Sequence, residues 1–164
     1  MKTCVLSLLA GILCSLCGSL RASTPTENLG IRALPAPGKI AIDGKSGDWD
    51  LSGGRQLWWH AGMKPGDTLA LAFPSLKAGK YRVFGRFLRA PDYGIHQLAI
   101  NGKKAGAPID FYTPNVEAGK EMDLGVFDLK ESDNEFAATV VGANEKAVKA
   151  YMLGLDYLRL EAAQ

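Results

Sequence analysis

The 164-residue chain is poor in cysteine, and the three it has, Cys4, Cys14 and Cys17, all fall in one apolar stretch at the start. If that stretch is removed as a leader, the remainder has no thiol, which excludes a disulfide framework and a thiolate site. Histidine is nearly absent too. His60 and His96 are the only two, and no His-x-x-x-His spacing is present, so zinc has no ligand set. There is little excess charge: the formal +2 equals the contribution of Lys2 and Arg21, both near the start, and the rest is balanced. A balanced chain exerts little pull on phosphate backbones or anionic lipid, which argues against nucleic acid and the membrane surface as partners. The apolar run Cys4–Cys17 is shorter than the roughly 20 residues a membrane-spanning helix needs. No Gly-x-Ser-x-Gly elbow and no glycine-rich loop before a helix occurs, so the familiar acyl- and phosphoryl-transfer signatures are missing.

What is present at the start is Lys2, the apolar run, and then Ser19-Leu20-Arg21-Ala22, which together predict a cleaved secretory signal over residues 1–22. Neither Cys14 nor Cys17 follows the pattern of a lipidated signal, so the expected address is secreted or periplasmic, without an anchor after cleavage. Residues 23–38 carry Pro25, Pro35 and Pro37 and suit an extended linker. Residues 39–164 have the length of one domain with a proper core.

Within that domain, short alternating apolar runs are separated by Gly, Pro, Asn and Asp, and no helix-length periodic segment occurs. Strands are expected over Lys39–Ile42, Gln56–Ala61, Thr68–Phe73, Tyr81–Leu88, Gln97–Ile100, Ile109–Tyr112, Met122–Leu129, Glu135–Val141 and Met152–Leu160. In Tyr81–Leu88, Tyr81, Val83 and Phe87 share one face and Arg82, Phe84 and Arg86 the other. Lys64-Pro65-Gly66-Asp67 and Asn101-Gly102 are tight turns, and Asn144–Ala150 has room for a turn or two of helix. About nine strands with turn signals at this spacing predict an all-β antiparallel sandwich.

The phrases QLWWHAGMKPGDTLAL, GKYRVFGRF, DYGIHQLAINGKKAGAPIDFY, LGVFDLK, FAATVVGAN and YMLGLDYLRL resemble a galactose-binding-like jelly roll. Their order is similar to that of carbohydrate-binding modules of families 6 and 35, and more so to the accessory sandwich of secreted bacterial glycoside hydrolases of the family 172 type. KIAIDGKSGDWDLSGG resembles the opening strand of family 9 modules. Ser132-Asp133-Asn134 stands where such domains carry a glycine, and Asp and Asn tolerate the left-handed turn. The resemblance implies a noncatalytic module that binds carbohydrate weakly. It also implies that an acid near Asp156 can hold a structural calcium.

Sugar recognition needs a flat aromatic face for the C–H side of the ring and polar groups for its hydroxyls. Trp58 and Trp59 are adjacent, so in a regular strand one points inward and the other outward; Trp59 is placed with the binding candidates. Pro91-Asp92-Tyr93-Gly94-Ile95-His96 and Tyr112-Thr113-Pro114-Asn115 are connections that can converge at one end of a sandwich. The candidate ligand set is therefore Tyr93 and Tyr112 as platforms on a shared exposed rim, with Asp92, His96 and Asn115 orienting hydroxyls. The same residues allow a second arrangement, in which Tyr93 packs across the sandwich end while Asp92 caps a turn. Asp43, Asp48 and Asp50 form a carboxylate-rich loop that oxygen-loving calcium could use, although the spacing is not that of an EF-hand. No other cofactor is indicated. Two other functions compete with sugar binding: an assembly module that packs on a glycoside hydrolase domain or on itself, and a small hydrolase with two converging acids.

Overall fold

The computed structural model describes residues 3–7, 31–45, 48–75 and 77–163. In chain order the strands are β1 (Thr3–Ser7), β2 (Arg32–Ala33), β3 (Lys39–Asp43), β4 (Gln56–His60), β5 (Thr68–Phe73), β6 (Gly79–Arg89), β7 (Ile95–Ile100), β8 (Lys103–Lys104), β9 (Ile109–Asp110), β10 (Glu117–Ala118), β11 (Met122–Leu129), β12 (Asn134–Gly142) and β13 (Leu153–Ala162). They form two antiparallel sheets. One runs β10-β6-β13-β4-β3, with β11 also on β6 and β1 also on β13; the other runs β2-β5-β12-β7-β8, with β9 also on β7.

Alternation produces the sandwich. Tyr81, Val83 and Phe87 of β6 are buried while Arg82 is exposed and Phe84 and Arg86 are half-buried, as the pattern predicts. Leu69, Leu71 and Phe73 of β5, Phe136, Ala138 and Val140 of β12, and Leu158 and Leu160 of β13 fill the interior between the sheets. Burial of this kind is worth about 1.5–3 kcal/mol for each large apolar side chain and needs no disulfide.

Several elements differ from the pattern, each for a local reason. The strand expected over Ile109–Tyr112 stops at Asp110, whose Oδ1 accepts the Tyr112 amide at 2.9 Å and turns the chain. Asn144–Ala150 makes turns and no helix: Ala147 N–H reaches Asn144 O, but Val148 N–H goes to Pro91 O instead of continuing the ladder. Residues 31–38, read as linker, are extended and tied down: β2 pairs with β5, Leu34 N–H donates to Ala70 O, and Pro37 O accepts the Trp59 indole N–H. Asp133 adopts φ 59°, the left-handed turn expected of Ser132-Asp133-Asn134. Of the expected leader, only Thr3–Ser7 falls among the described residues; it lies antiparallel to β13, with Thr3 opposite Glu161 and Ser7 opposite Tyr157.

Candidate functional site

Three connections meet at one end of the sandwich: the segment after β3, the turn between β6 and β7, and the segment before β10. The last two are the loops the sequence paired, and they are joined backbone to backbone, since Ala90 N–H donates to Phe111 O and Thr113 N–H to Ala90 O. Between the three lies a small cleft of about 150 Å³ lined by Asp43, Trp49, Gln56, Trp58, Ala90, Asp92, Tyr93 and Val116.

Trp58 lies on the outward face of β4, alternating with Leu57 and Trp59, which point into the core. His60, two residues on, stacks on its indole with centroids 3.9 Å apart and planes 11° off parallel, which holds the ring in one orientation. Trp49 comes from the loop after β3, where it and Asp50 take left-handed backbone angles of φ 49° and 54°. Such angles cost of order 1–3 kcal/mol each in a non-glycine residue and persist only when the surroundings enforce them. The enforcing contacts are visible. Asp48 Oδ2 accepts the Lys45 amide, Leu51 N–H donates to Asp48 O, and Arg86 grips both the carbonyl and the carboxylate of Asp50.

Polar groups in the cleft are pre-oriented from beneath. The Tyr93 hydroxyl donates to Gln56 Oε1 at 3.1 Å, and Gln56 Nε2 donates to Asp43 Oδ2 at 3.3 Å. Gly154 makes this relay possible, because a Cβ there would stand 1.9 Å from Gln56 Oε1. Two carboxylates and no lysine or arginine line the cleft, a set suited to accepting hydrogen bonds from neutral hydroxyls.

The candidates from the sequence separate accordingly. Asp92 lines the cleft. Tyr93, expected as an exposed platform, is 3 % exposed; its ring packs across the sandwich end, the second arrangement open in the sequence, and burial pushes its hydroxyl pKa upward. The shared rim of Tyr93 and Tyr112 is therefore not formed, since Tyr112 is half-buried and outside the cleft lining. Asn115 is exposed and also outside it; its carbonyl accepts from Thr113 Oγ1. Trp59 is fully buried, its indole N–H spent on Pro37 O at 2.7 Å. His96 is fully buried as well, between Trp59 and Phe111, with Nε2 donating to Met152 O at 3.1 Å. Burial lowers its pKa to about 4, so it is a neutral core imidazole with no access to a ligand.

Asp156, the calcium candidate, is the extra residue of a β-bulge in β13 and has no exposed surface. Its carboxylate is met by Arg86 at 3.2 Å and by the Ser52 amide at 3.0 Å. The guanidinium supplies a positive charge beside the buried carboxylate. Desolvation still raises its pKa to about 6 against those two favourable contacts. Among the described residues, no group of three or more His, Cys, Asp or Glu side chains is arranged to hold a metal.

Trp49, Gln56 and Asp43 were not considered for sugar binding from the sequence, and of the adjacent pair Trp58 and Trp59 the buried ring was chosen. A signal was present in Asp48-Trp49-Asp50, a large aromatic in a polar, glycine-rich loop where no core pattern calls for one.

No protein-family model and no curated protein matches the chain. Solved structures do. A xanthan lyase from Paenibacillus matches with TM-score 0.67 and 23% identity over 80% of this chain. A β-(1,4)-mannanase from Podospora anserina that combines a family 26 hydrolase with a family 35 carbohydrate-binding module matches with TM-score 0.50 and 13% identity over 83%. A family 35 carbohydrate-binding module from an environmental isolate matches with TM-score 0.49 and 15% identity, covering 81% of this chain and 88% of that one. The chain spans 12% of the xanthan lyase and 28% of the mannanase. The fold is a β-sandwich shared with segments of much longer polysaccharide-cleaving enzymes.

Proposed function

We propose that the chain is a secreted, noncatalytic module that binds a neutral sugar unit of a polysaccharide weakly in the Trp49–Trp58 cleft. The reading rests on one observation: two half-exposed indoles from separate elements border the same small cleft as Asp43, Asp92 and Gln56. Indoles supply the apolar platform, and the carboxylates and amide accept or donate to ring hydroxyls. A shallow site of this size that touches one ring has affinity in the weak range, as each small contact is set against the entropy of binding. The fold shared with segments of a xanthan lyase and a mannanase is compatible with service beside a polysaccharide-cleaving enzyme. We take a glycoside hydrolase of the family 172 type, which the sequence resembles, as the partner.

Affinity electrophoresis in gels containing neutral polysaccharides tests this. Retardation is expected for the native protein, and at least about a tenfold loss for Trp58→Ala and for Trp49→Ala. Both side chains are half-exposed, so the variants should stay folded, which thermal melts check. Failure of every neutral glycan to retard the protein, or full binding by the folded double variant, overturns the assignment.

A further inference from the structure

A second and larger cleft, about 490 Å³, opens at the side of the sandwich where β9 of one sheet and β10 and β11 of the other part. That volume lies within the range of small-molecule sites. Its floor is apolar: Phe87, Ile109, Phe111 and Met122. Its rim carries Arg89, Glu117 and Lys120, the last two exposed, which leaves one net positive charge.

The chemistry differs from that of the tryptophan cleft. Among the described residues, no Ser, Thr, Asn, Gln, Tyr, His or Trp side chain lines this space. The nearby backbone is already engaged: Gly119 N–H donates to Phe87 O at 2.8 Å, and Gly119 O accepts from Arg86 Nε at 3.1 Å. A pyranose would have to bring several hydroxyls out of water to a wall without neutral partners, at a cost of roughly 1–3 kcal/mol for each one left unpaired. An apolar ring with a single anionic group meets no such cost. Arg89 donates one Nη to Asp110 O at 2.9 Å, which steadies the guanidinium, and among the described residues no other group takes its remaining N–H groups.

We propose that this cleft binds an aryl carboxylate, with the ring against Ile109 and Met122 and the carboxylate between Arg89 and Lys120. The site is separate from the tryptophan cleft and does not depend on its assignment.

The test is titration of the full chain with sodium cinnamate, its neutral methyl ester and sodium glucuronate, followed by calorimetry and by amide shifts in labelled protein. Saturable cinnamate binding is expected, with shifts confined to residues 87–89, 109–111 and 117–122. The ester should bind about tenfold more weakly, because the charge-assisted contacts are lost. Lys120→Gln should weaken cinnamate about threefold and Glu117→Gln should strengthen it by a similar factor, as suits charges at an exposed rim. Both side chains are exposed, so neither change should shift the melting temperature. Absence of saturable binding, equal affinity for acid and ester, no response to either variant, or a stronger response of the same amides to glucuronate would overturn the proposal. Loss of cinnamate binding with sugar binding intact would refute this site alone.

Discussion

Gly154 has no room for a side chain, and the reason lies in the site. Trp58, its partner across the β4–β13 ladder, belongs to the cleft, and the Gln56 amide and the Tyr93 hydroxyl both lie over the Gly154 Cα. A Cβ would fall 1.9 Å from Gln56 Oε1 and 2.7 Å from Tyr93 Oη, so one or both must move. Gly154→Ala is therefore expected to cost about 2–4 kcal/mol, the scale of overpacking joined to a broken buried hydrogen bond, measured by urea unfolding. It should also weaken sugar binding, because Gln56 would no longer hold Asp43. A loss below 0.5 kcal/mol with unchanged binding would show that the relay gives way easily. Sequence reasoning reached part of this arrangement. Period two required that one of Trp58 and Trp59 face inward, yet the alternation is symmetric and does not say which; that is decided by Pro37 O, which arrives from a segment 22 residues earlier to accept the Trp59 indole N–H. His96 was placed in the loop, but it belongs to β7, on the inward face with Leu98 and Ile100, and its Nε2 donates to Met152 O. For Tyr93 the sequence left an exposed and a packed arrangement open, and the packed one is found, with the hydroxyl donating to Gln56 Oε1.

Arg86 organises a larger unit, the bulge of β13 and the two segments laid over it. Its guanidinium contacts Asp50 O, Asp50 Oδ2, Gly119 O and Asp156 Oδ2, so one side chain of β6 anchors both the loop carrying Trp49 and the segment before β11. The Asp50 carboxylate is 98% exposed and adds little, whereas Asp156 is fully buried and, among the described residues, loses its one countercharge when the arginine is removed. Arg86→Ala should cost about 3–5 kcal/mol at neutral pH, and Arg86→Ala with Asp156→Asn clearly less, a coupling that a double-mutant cycle in urea measures. If the double change costs as much as the sum of the single ones, the pair is not a unit. The long strands β5, β6, β11, β12 and β13 were legible because alternation persists over six or more residues. The two-residue strands β2, β8 and β10 were not, since two residues carry no period; β9 was expected, but with two residues too many. The bulge was hidden as well: it arises from the register of β13 against β6, where Leu155 faces Phe87 and Tyr157 faces Arg86 and Asp156 is the extra residue between them.

At the scale of the whole molecule, His96 and Asp156, both buried, act on stability at acidic pH in opposite directions. His96 is neutral when folded, with a pKa near 4 against an ordinary 6.5, so the unfolded chain binds the extra proton between those values and stability is lost as pH falls through that window. Two and a half units correspond to about 3 kcal/mol. Asp156 has a folded pKa near 6 against an ordinary 3.8, so between those values the folded chain holds the extra proton, and stability is gained as pH falls. That gain is also about 3 kcal/mol. Glu121, whose carboxylate is held below its ordinary range chiefly by hydrogen bonds from Arg159, destabilises the fold only at more acidic pH and does not enter this window. The native protein should therefore have a nearly flat stability profile between about pH 4.5 and 6, although two of its buried groups titrate or are poised to titrate there. Removing one partner exposes the other. Asp156→Asn should lose stability on acidification across this range, and His96→Gln should gain it, each by about 1.5–2 kcal/mol as read from urea midpoints at several pH values. Parallel profiles for the native protein and both variants would mean that neither group changes its proton affinity on folding, and that the flatness has another origin.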